Sequence, residues 1–139
     1  MKKTISIFMI IICTLCVLTS CKPTANDITL NTDKSFFWGY DVEEENLVNV
    51  YYNMNFTNKS SSEIKFNIKA KFEDLSQKGL VTNNEIYACN NKGEKSVFKL
   101  DPNSSKSIMI QFYDKFGGTE IEESSIEGLP KDIVFEIVE

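Results

Sequence analysis

Alternation of apolar and polar residues between positions 47 and 74 is the clearest pattern in the chain. In the first arm of this stretch, every second residue is apolar: Val48, Val50, Tyr52, Met54 and Phe56. In the second arm, the apolar residues at every second position are Ile64, Phe66, Ile68, Ala70 and Phe72. A period of two is typical of a β-strand with one buried and one solvent-exposed face. Because a polar turn at residues 58–62 joins the arms, the pattern predicts two strands paired as a hairpin.

Shorter stretches with the same signal lie on both sides of this pair. They cover residues 28–30, 36–40, 85–89, 98–100, 108–112 and 133–137. Turn-forming sequences such as Asp101-Pro102-Asn103 and Gly117-Gly118 separate them. Seven or eight short strands spaced in this way predict an all-β fold, an immunoglobulin-like antiparallel β-sandwich. Residues 120–127 add the prediction of one helical turn.

The start of the chain has a different pattern, that of a lipoprotein signal peptide. Lys2 and Lys3 precede a mostly apolar run over residues 5–18, and Leu18-Thr19-Ser20-Cys21 ends it. The run of 14 residues is shorter than the roughly 20 apolar residues that a membrane-spanning helix needs. Its last four residues resemble the bacterial lipobox, in which the cysteine becomes the acylated first residue of the mature protein. We therefore predict lipidation, for example by palmitate, at Cys21.

Cleavage before Cys21 divides the chain into three parts. They are the signal peptide at 1–20, the lipidated cysteine and a short tether at 21–27, and the sandwich domain at 28–139. Cys13 and Cys16 leave with the signal, so Cys89 is expected to be a free thiol, buried and unreactive. The tether reaches only about 20 Å. We expect the domain at the extracytoplasmic face of the cell membrane, or at the outer membrane if the cell is Gram-negative.

The charge of the chain limits the classes of partner that the protein is expected to bind. The chain has 15 basic residues, all lysine, against 20 acidic residues, and it has no histidine. Removal of Lys2 and Lys3 with the signal leaves 13 lysines and a net charge of −7. An acidic surface without arginine argues against nucleic acid and against adhesion to anionic lipid by charge. We expect attachment to the membrane through the lipid alone, and no cofactor.

A group of four aromatic residues is the first candidate site. Alternation predicts that Phe36, Trp38 and Tyr40 share one side of a strand and that Phe37 lies on the other. On an outer face, Trp38 and Tyr40 would stack on sugars or anchor a protein partner. The alternative is a core strand with one aromatic residue at its edge.

Two acidic runs are the second candidate. They comprise Asp41, Glu43, Glu44 and Glu45, and further along Glu120, Glu122, Glu123 and Glu127. Hard cations need several carboxylate oxygens, which makes Asp41, Glu43 and Glu45 weak calcium candidates. Neither run has the spacing of a calcium loop, so solvated loops are the alternative and we predict no metal. The same carboxylates would have to supply any glycoside hydrolysis.

The order of these parts resembles a known group of domains. A long strand ends in residues 53–60 (NMNFTNKS), and residues 98–105 (FKLDPNSS) precede an alternating strand. Leu129-Pro130 then precedes a hydrophobic terminal strand. This order is similar to that of the telokin-like, immunoglobulin-fold domains of small bacterial lipoproteins (the DUF4352 type, related in fold to the mycobacterial MPT63 antigen). The resemblance covers residues 45–138 and implies an immunoglobulin-like fold and an extracytoplasmic location. It supplies no catalytic residues.

These observations favour a non-catalytic module that is anchored to the membrane and binds another protein or an envelope polymer. The alternative is an immunity or exclusion lipoprotein that blocks a toxin or a phage at the membrane. A carboxylate-based hydrolase is third, because the chain has no histidine and no nucleophile motif.

Overall fold

The computed structural model describes residues 21–73, 79–119, 121–122, 126 and 128–139. Its strands are β1 (Ile28–Leu30), β2 (Phe36–Glu43), β3 (Leu47–Asn58), β4 (Ile64–Lys71), β5 (Glu85–Tyr87), β6 (Phe98–Leu100), β7 (Ser105–Lys115) and β8 (Asp132–Ile137). Short 3-10 turns cover Ala25–Asp27, Thr32–Lys34 and Glu44–Asn46. The strands pair antiparallel in two sheets, which confirms the predicted all-β sandwich.

The first sheet, sheet A, is built around β3. Residues 47–57 of β3 all have partners in β7. Because a strand has only two edges, β1 and β2 must share the other edge of β3. They pair with its two halves, at residues 56–58 and 47–53, and the turn Thr32–Lys34 lies between them. Together β1 and β2 therefore form one interrupted edge strand.

The second sheet, sheet B, repeats this plan around β4. Its residues 66–71 pair with β8. On the other edge, β6 pairs with residues 64–66 and β5 with residues 69–71. Each sheet thus has one long central strand, one continuous edge and one interrupted edge.

The core fills the space between the two sheets. Every apolar residue that the alternation assigns to the inner face, from Val48 to Phe56 and from Ile64 to Phe72, is buried. The predicted strand parity is therefore confirmed. Tyr52 contacts the rings of Phe37, Phe72 and Phe112 towards one end. At the other end the rings of Phe56, Phe66 and Phe135 lie within 5.8 Å of one another, measured between centroids.

The predicted hairpin between the two alternating arms is wrong. β3 belongs to sheet A and β4 to sheet B, and the residues that join them cross from one sheet to the other. Alternation shows only that each strand has one buried face. Pairing in a hairpin and packing across a sandwich, about 10 Å apart, satisfy that requirement equally well.

Residues after β5 connect the two sheets along one side. The N–H of Ala88 donates to the carbonyl of Ile68 in β4 at 2.8 Å, and the N–H of Cys89 donates to Gln111 in β7 at 2.9 Å. Cys89 is buried, as expected, and burial raises the pKa of its thiol. The side chain is therefore a packing residue whose thiolate is disfavoured.

No helix in the described ranges is long and apolar enough to cross a membrane. The predicted signal peptide at residues 1–20 lies outside the described residues, as does most of the predicted helical turn at 120–127.

Candidate binding face

A β-bulge in β2 decides which aromatic side chains face outward. Phe37 pairs with Tyr52 and Gly39 pairs with Tyr51, so Trp38 is an extra residue in the strand. Trp38 is 61% exposed, whereas Phe37 and Tyr40 pack against the core. The predicted arrangement is therefore wrong for Tyr40, which shares the inner side with Phe37. The physical reason is that one bulged residue shifts the parity of every later residue in the strand.

Tyr40 uses its hydroxyl group within the protein. The Tyr40 Oη donates to the carbonyl of Ile121 at 2.8 Å and accepts from the N–H of Ile121 at 3.3 Å. These bonds hold residue 121 against the edge of sheet A. In the structure, Tyr40 is thus a half-buried positioning residue that does not share a surface with Trp38.

The outer face of sheet A places Trp38 beside side chains from β3 and β7. One row across the strands contains Phe36, Asn53 and Met109, and the next contains Trp38, Tyr51 and Gln111. We call these six residues the amide–aromatic face. The rows lie about 7 Å apart along the strands. All six side chains are uncharged, and Phe36, Trp38 and Met109 are exposed.

Trp38 and Tyr51 form the centre of this face. Their ring centroids are 6.1 Å apart and the rings are nearly perpendicular, at 85°. Burial raises the pKa of Tyr51, and the negative charges of Asp41 and Glu43 raise it further. The Tyr51 hydroxyl also forms a hydrogen bond with the Asp41 carboxylate. Tyr51 is therefore held in place from both sides, as a neutral phenol.

The first acidic run borders the amide–aromatic face. Asp41 pairs with Asn49 and Glu43 pairs with Leu47, so both carboxylates project on the outer side. Glu43 Oε1 accepts from Asn49 Nδ2 at 2.5 Å. Asn49 Oδ1 in turn accepts from Gln111 Nε2 at 2.5 Å. A continuous line of hydrogen bonds thus connects the carboxylate of Glu43 to the face.

The calcium candidates do not come together. Among the residues that the structure describes, no group of three acidic, histidine or cysteine side chains could hold a metal ion. Asp41 and Glu43 lie on β2, and Glu45 lies in the following turn with a positive φ of 67°. In the second run, residues 120, 123 and 127 lie outside the described ranges, and Glu122 is exposed.

The outer face of sheet B has a different chemistry. Its lysines pair with carboxylates, as in Lys69–Glu85 at 3.4 Å, Lys95–Glu136 at 3.0 Å, Lys99–Glu63 at 2.6 Å and Lys131–Glu73 at 2.5 Å. No ion pair in the described part of the chain includes Asp41 or Glu43. The charges of sheet B are largely neutralised by one another. Asp41 and Glu43 lie directly beside the amide–aromatic face, whereas Lys115, in the same row as Glu43, lies two strands away from it.

A shallow depression of about 350 Å³ also lies on sheet B. It is lined by Lys69, Ala70, Lys71, Glu85, Asp132, Ile133 and Val134. Its charged residues include the ion pair between Lys69 and Glu85. This depression is shallow and is separate from the exposed aromatic residues, so it gives no reason to place a binding site there.

The predicted lipidation site is exposed at one end of the sandwich. Cys21 lies seven residues before Ile28, which pairs with Asn58 at the last position of β3. Lys22 Nζ lies 3.3 Å from Glu139 Oε1, so the C-terminal residue is at the same end. The acidic turn Glu44–Asn46 is at the opposite end of β3.

Four members of the amide–aromatic face are not among the candidates from sequence, namely Tyr51, Asn53, Met109 and Gln111. The sequence gives little indication of a site at these residues, because Tyr51 and Met109 are simply large side chains among the polar positions that alternate with the core residues. Strand register brings them to Trp38 from distant parts of the chain.

Comparison of the chain with protein-family models, with curated proteins and with solved structures finds no match in any of the three.

Proposed function

We propose that the protein is a lipid-anchored, extracytoplasmic binding module without catalytic activity. The amide–aromatic face carries this proposal. Phe36, Trp38 and Met109 expose 51%, 61% and 46% of their surface on the same side of one sheet. Adjacent exposed aromatic residues and methionine, with charge at the border, are typical of the centre of an interface.

The anchor is the second part of the proposal. The lipobox-like sequence before Cys21 supports it, and the exposure of Cys21 leaves the thiol accessible to acylation. Membership of the DUF4352 type, with its immunoglobulin-like arrangement of strands, belongs to the same proposal. Two antiparallel sheets are compatible with it.

A site-specific photo-crosslinker at Met109 tests the binding function in the native envelope. Met109 borders Trp38, and its replacement leaves the central aromatic pair intact. We expect a discrete covalent adduct after irradiation, visible as one shifted band. The control is the same crosslinker at Val134, which is 46% exposed like Met109 but lies on sheet B. The same adduct at both positions, or none at Met109, would contradict the proposal.

A further inference from the structure

We propose that the amide–aromatic face binds a glycan chain of amino sugars that carry free amines. This inference rests on the proposed binding function and names the chemistry of the partner. It follows from three features of the face: its exposed rings, its side-chain amides and its negative border.

The rings suit the apolar side of a sugar. A pyranose ring has C–H groups on its faces and hydroxyl groups around its rim, so a flat aromatic surface packs against the faces by dispersion. Trp38 and Phe36 are both more than half exposed. Tyr51 stands edge-on against Trp38 and restricts its rotation. A sugar therefore meets a surface that is already ordered.

The amides suit the rim of a sugar. A hydroxyl group both donates and accepts hydrogen bonds, and a side-chain amide does the same. Asn53 and Gln111 lie next to the exposed rings, and the bond from Gln111 to Asn49 fixes the orientation of the amide. Towards the other end of the sheet, Asn55 donates to Ser107 at 2.8 Å. This density of neutral polar groups favours a ligand rich in hydroxyl groups over an apolar protein surface.

The negative charges at the border of the face favour a positively charged sugar. Asp41 and Glu43 are held on the outer side by neutral donors, Tyr51 and Asn49. In the described ranges neither carboxylate has a lysine partner. An anionic polymer would meet two negative charges, whereas the ammonium group of an amino sugar would be attracted. The attraction acts over about 8 Å at physiological ionic strength, so binding is expected to weaken with salt.

Intrinsic fluorescence gives a direct test, because Trp38 is the one tryptophan of the chain. The membrane form of the protein is purified in detergent and titrated with a glucosamine hexamer. We expect a saturable change in emission that salt reduces. The uncharged N-acetylglucosamine hexamer is expected to bind more weakly, and a galacturonic acid hexamer not to bind. No response to the glucosamine hexamer, or an equal response to the galacturonic acid hexamer, would overturn the inference.

Variants separate the contribution of the ring from that of the charges, with affinity measured by calorimetry. Trp38→Ala is expected to lower the affinity about tenfold, as loss of a stacking platform does elsewhere. Asp41→Asn combined with Glu43→Gln is expected to lower the affinity for glucosamine to that for N-acetylglucosamine. Val134→Ala and Glu85→Gln on sheet B are the matched controls and are expected to bind as the unmodified protein does. Equal losses in the two sets would overturn the inference.

The outcome also separates this inference from the proposed function. A protein adduct through Met109, together with no response to the glucosamine hexamer, overturns the amino-sugar inference and supports the binding module. If neither an adduct nor a fluorescence response is observed, both the amino-sugar inference and the proposed binding function are overturned.

Discussion

Asn58 shows how a single polar side chain can organise the end of a sandwich. It is fully buried, and its Nδ2 donates to the carbonyls of Ser62 at 2.8 Å and Asp101 at 3.0 Å. Its Oδ1 accepts from the N–H of Ser60 at 2.8 Å. One side chain thus bonds backbone groups of both the β3–β4 and the β6–β7 connections and ties the two together at this end of the sandwich. The sequence predicts a polar turn here, but not that its first residue is buried.

Replacement of Asn58 by alanine is expected to destabilise the protein by about 3 kcal/mol, because it removes three hydrogen bonds made by a fully buried side chain. Equilibrium unfolding in urea measures the change. Asn53→Ala, at a half-buried position on the outer face of sheet A, is the control and should stay within about 0.5 kcal/mol. If Asn58→Ala is as stable as the control variant, water replaces the hydrogen bonds of the side chain with no loss in the free energy of unfolding.

At the scale of single residues, the candidate site could be predicted only in part from the sequence. Trp38 is a sequence candidate that the structure places on an outer face. Tyr40 was predicted to share that face, and a bulge of one residue moved it to the inner side. Local sequence gives little warning of a bulge, because a bulge depends on how a strand fits its partner.

Among the elements, β8 is fastened to β4 by an ion pair at its start. Glu73 follows β4, and its carboxylate accepts hydrogen bonds from Lys131, just before β8, and from Lys71. These two lysines lower the pKa of Glu73 to about 2. The N–H of Lys131 also donates to the carbonyl of Lys71 at 3.1 Å. The charge of Glu73 therefore contributes to stability wherever the carboxylate would be ionised in the unfolded chain.

This arrangement predicts an acid-sensitive contribution to stability. The pKa of Glu73 is below its ordinary value of 4.5, so its contribution is present above pH 4.5 and is lost as the pH falls towards 2. We expect the stability difference between the unmodified protein and Glu73→Gln to shrink over that range. Urea unfolding at several pH values measures it. Lys131→Met should reduce the same pH dependence and leave the part due to Lys71, and a difference that is constant with pH would contradict the assignment.

The connection between β3 and β4 shows what alternation can and cannot predict at this scale. The inner faces of both strands were predicted correctly, residue by residue. Their partners were not, because β3 pairs with the preceding strand β2 and, through contacts that are remote in sequence, with β1 and β7. The inward pattern of a strand is the same whether its neighbour in the chain lies beside it or across the core.

For the whole molecule, the strand directions predict an orientation on the membrane. If Cys21 carries a lipid, the end of the sandwich with Asn58 and Glu139 faces the bilayer. The acidic turn Glu44–Asn46 then lies farthest away, at about 40 Å along β3. Trp38, opposite Tyr51, stands about 25 Å above the membrane-facing end. The amide–aromatic face is thus held clear of the lipid headgroups, and the negative turn is kept away from anionic lipid.

The anchor itself is tested by Cys21→Ala. This change is expected to abolish labelling by radioactive palmitate and to leave the uncleaved precursor, because the acylated cysteine is the cleavage point. Autoradiography measures the label, and immunoblotting of the membrane fraction measures the size of the protein. Cys89→Ala is the matched control and should be labelled normally, since Cys89 is buried in the fold. Normal labelling of Cys21→Ala would rule out the predicted lipidation site.

The sequence by itself determined the class of the fold, the inner faces of β3 and β4 and the position of Trp38 as a candidate. These properties depend on a local period of two and on the burial of apolar surface, which neighbouring residues express directly. Only the tertiary structure decided that β3 and β4 lie in different sheets, that Tyr40 faces inward, and that Met109 and Gln111 lie beside Trp38. Register and bulges depend on contacts between distant segments, which alternation within one strand does not encode.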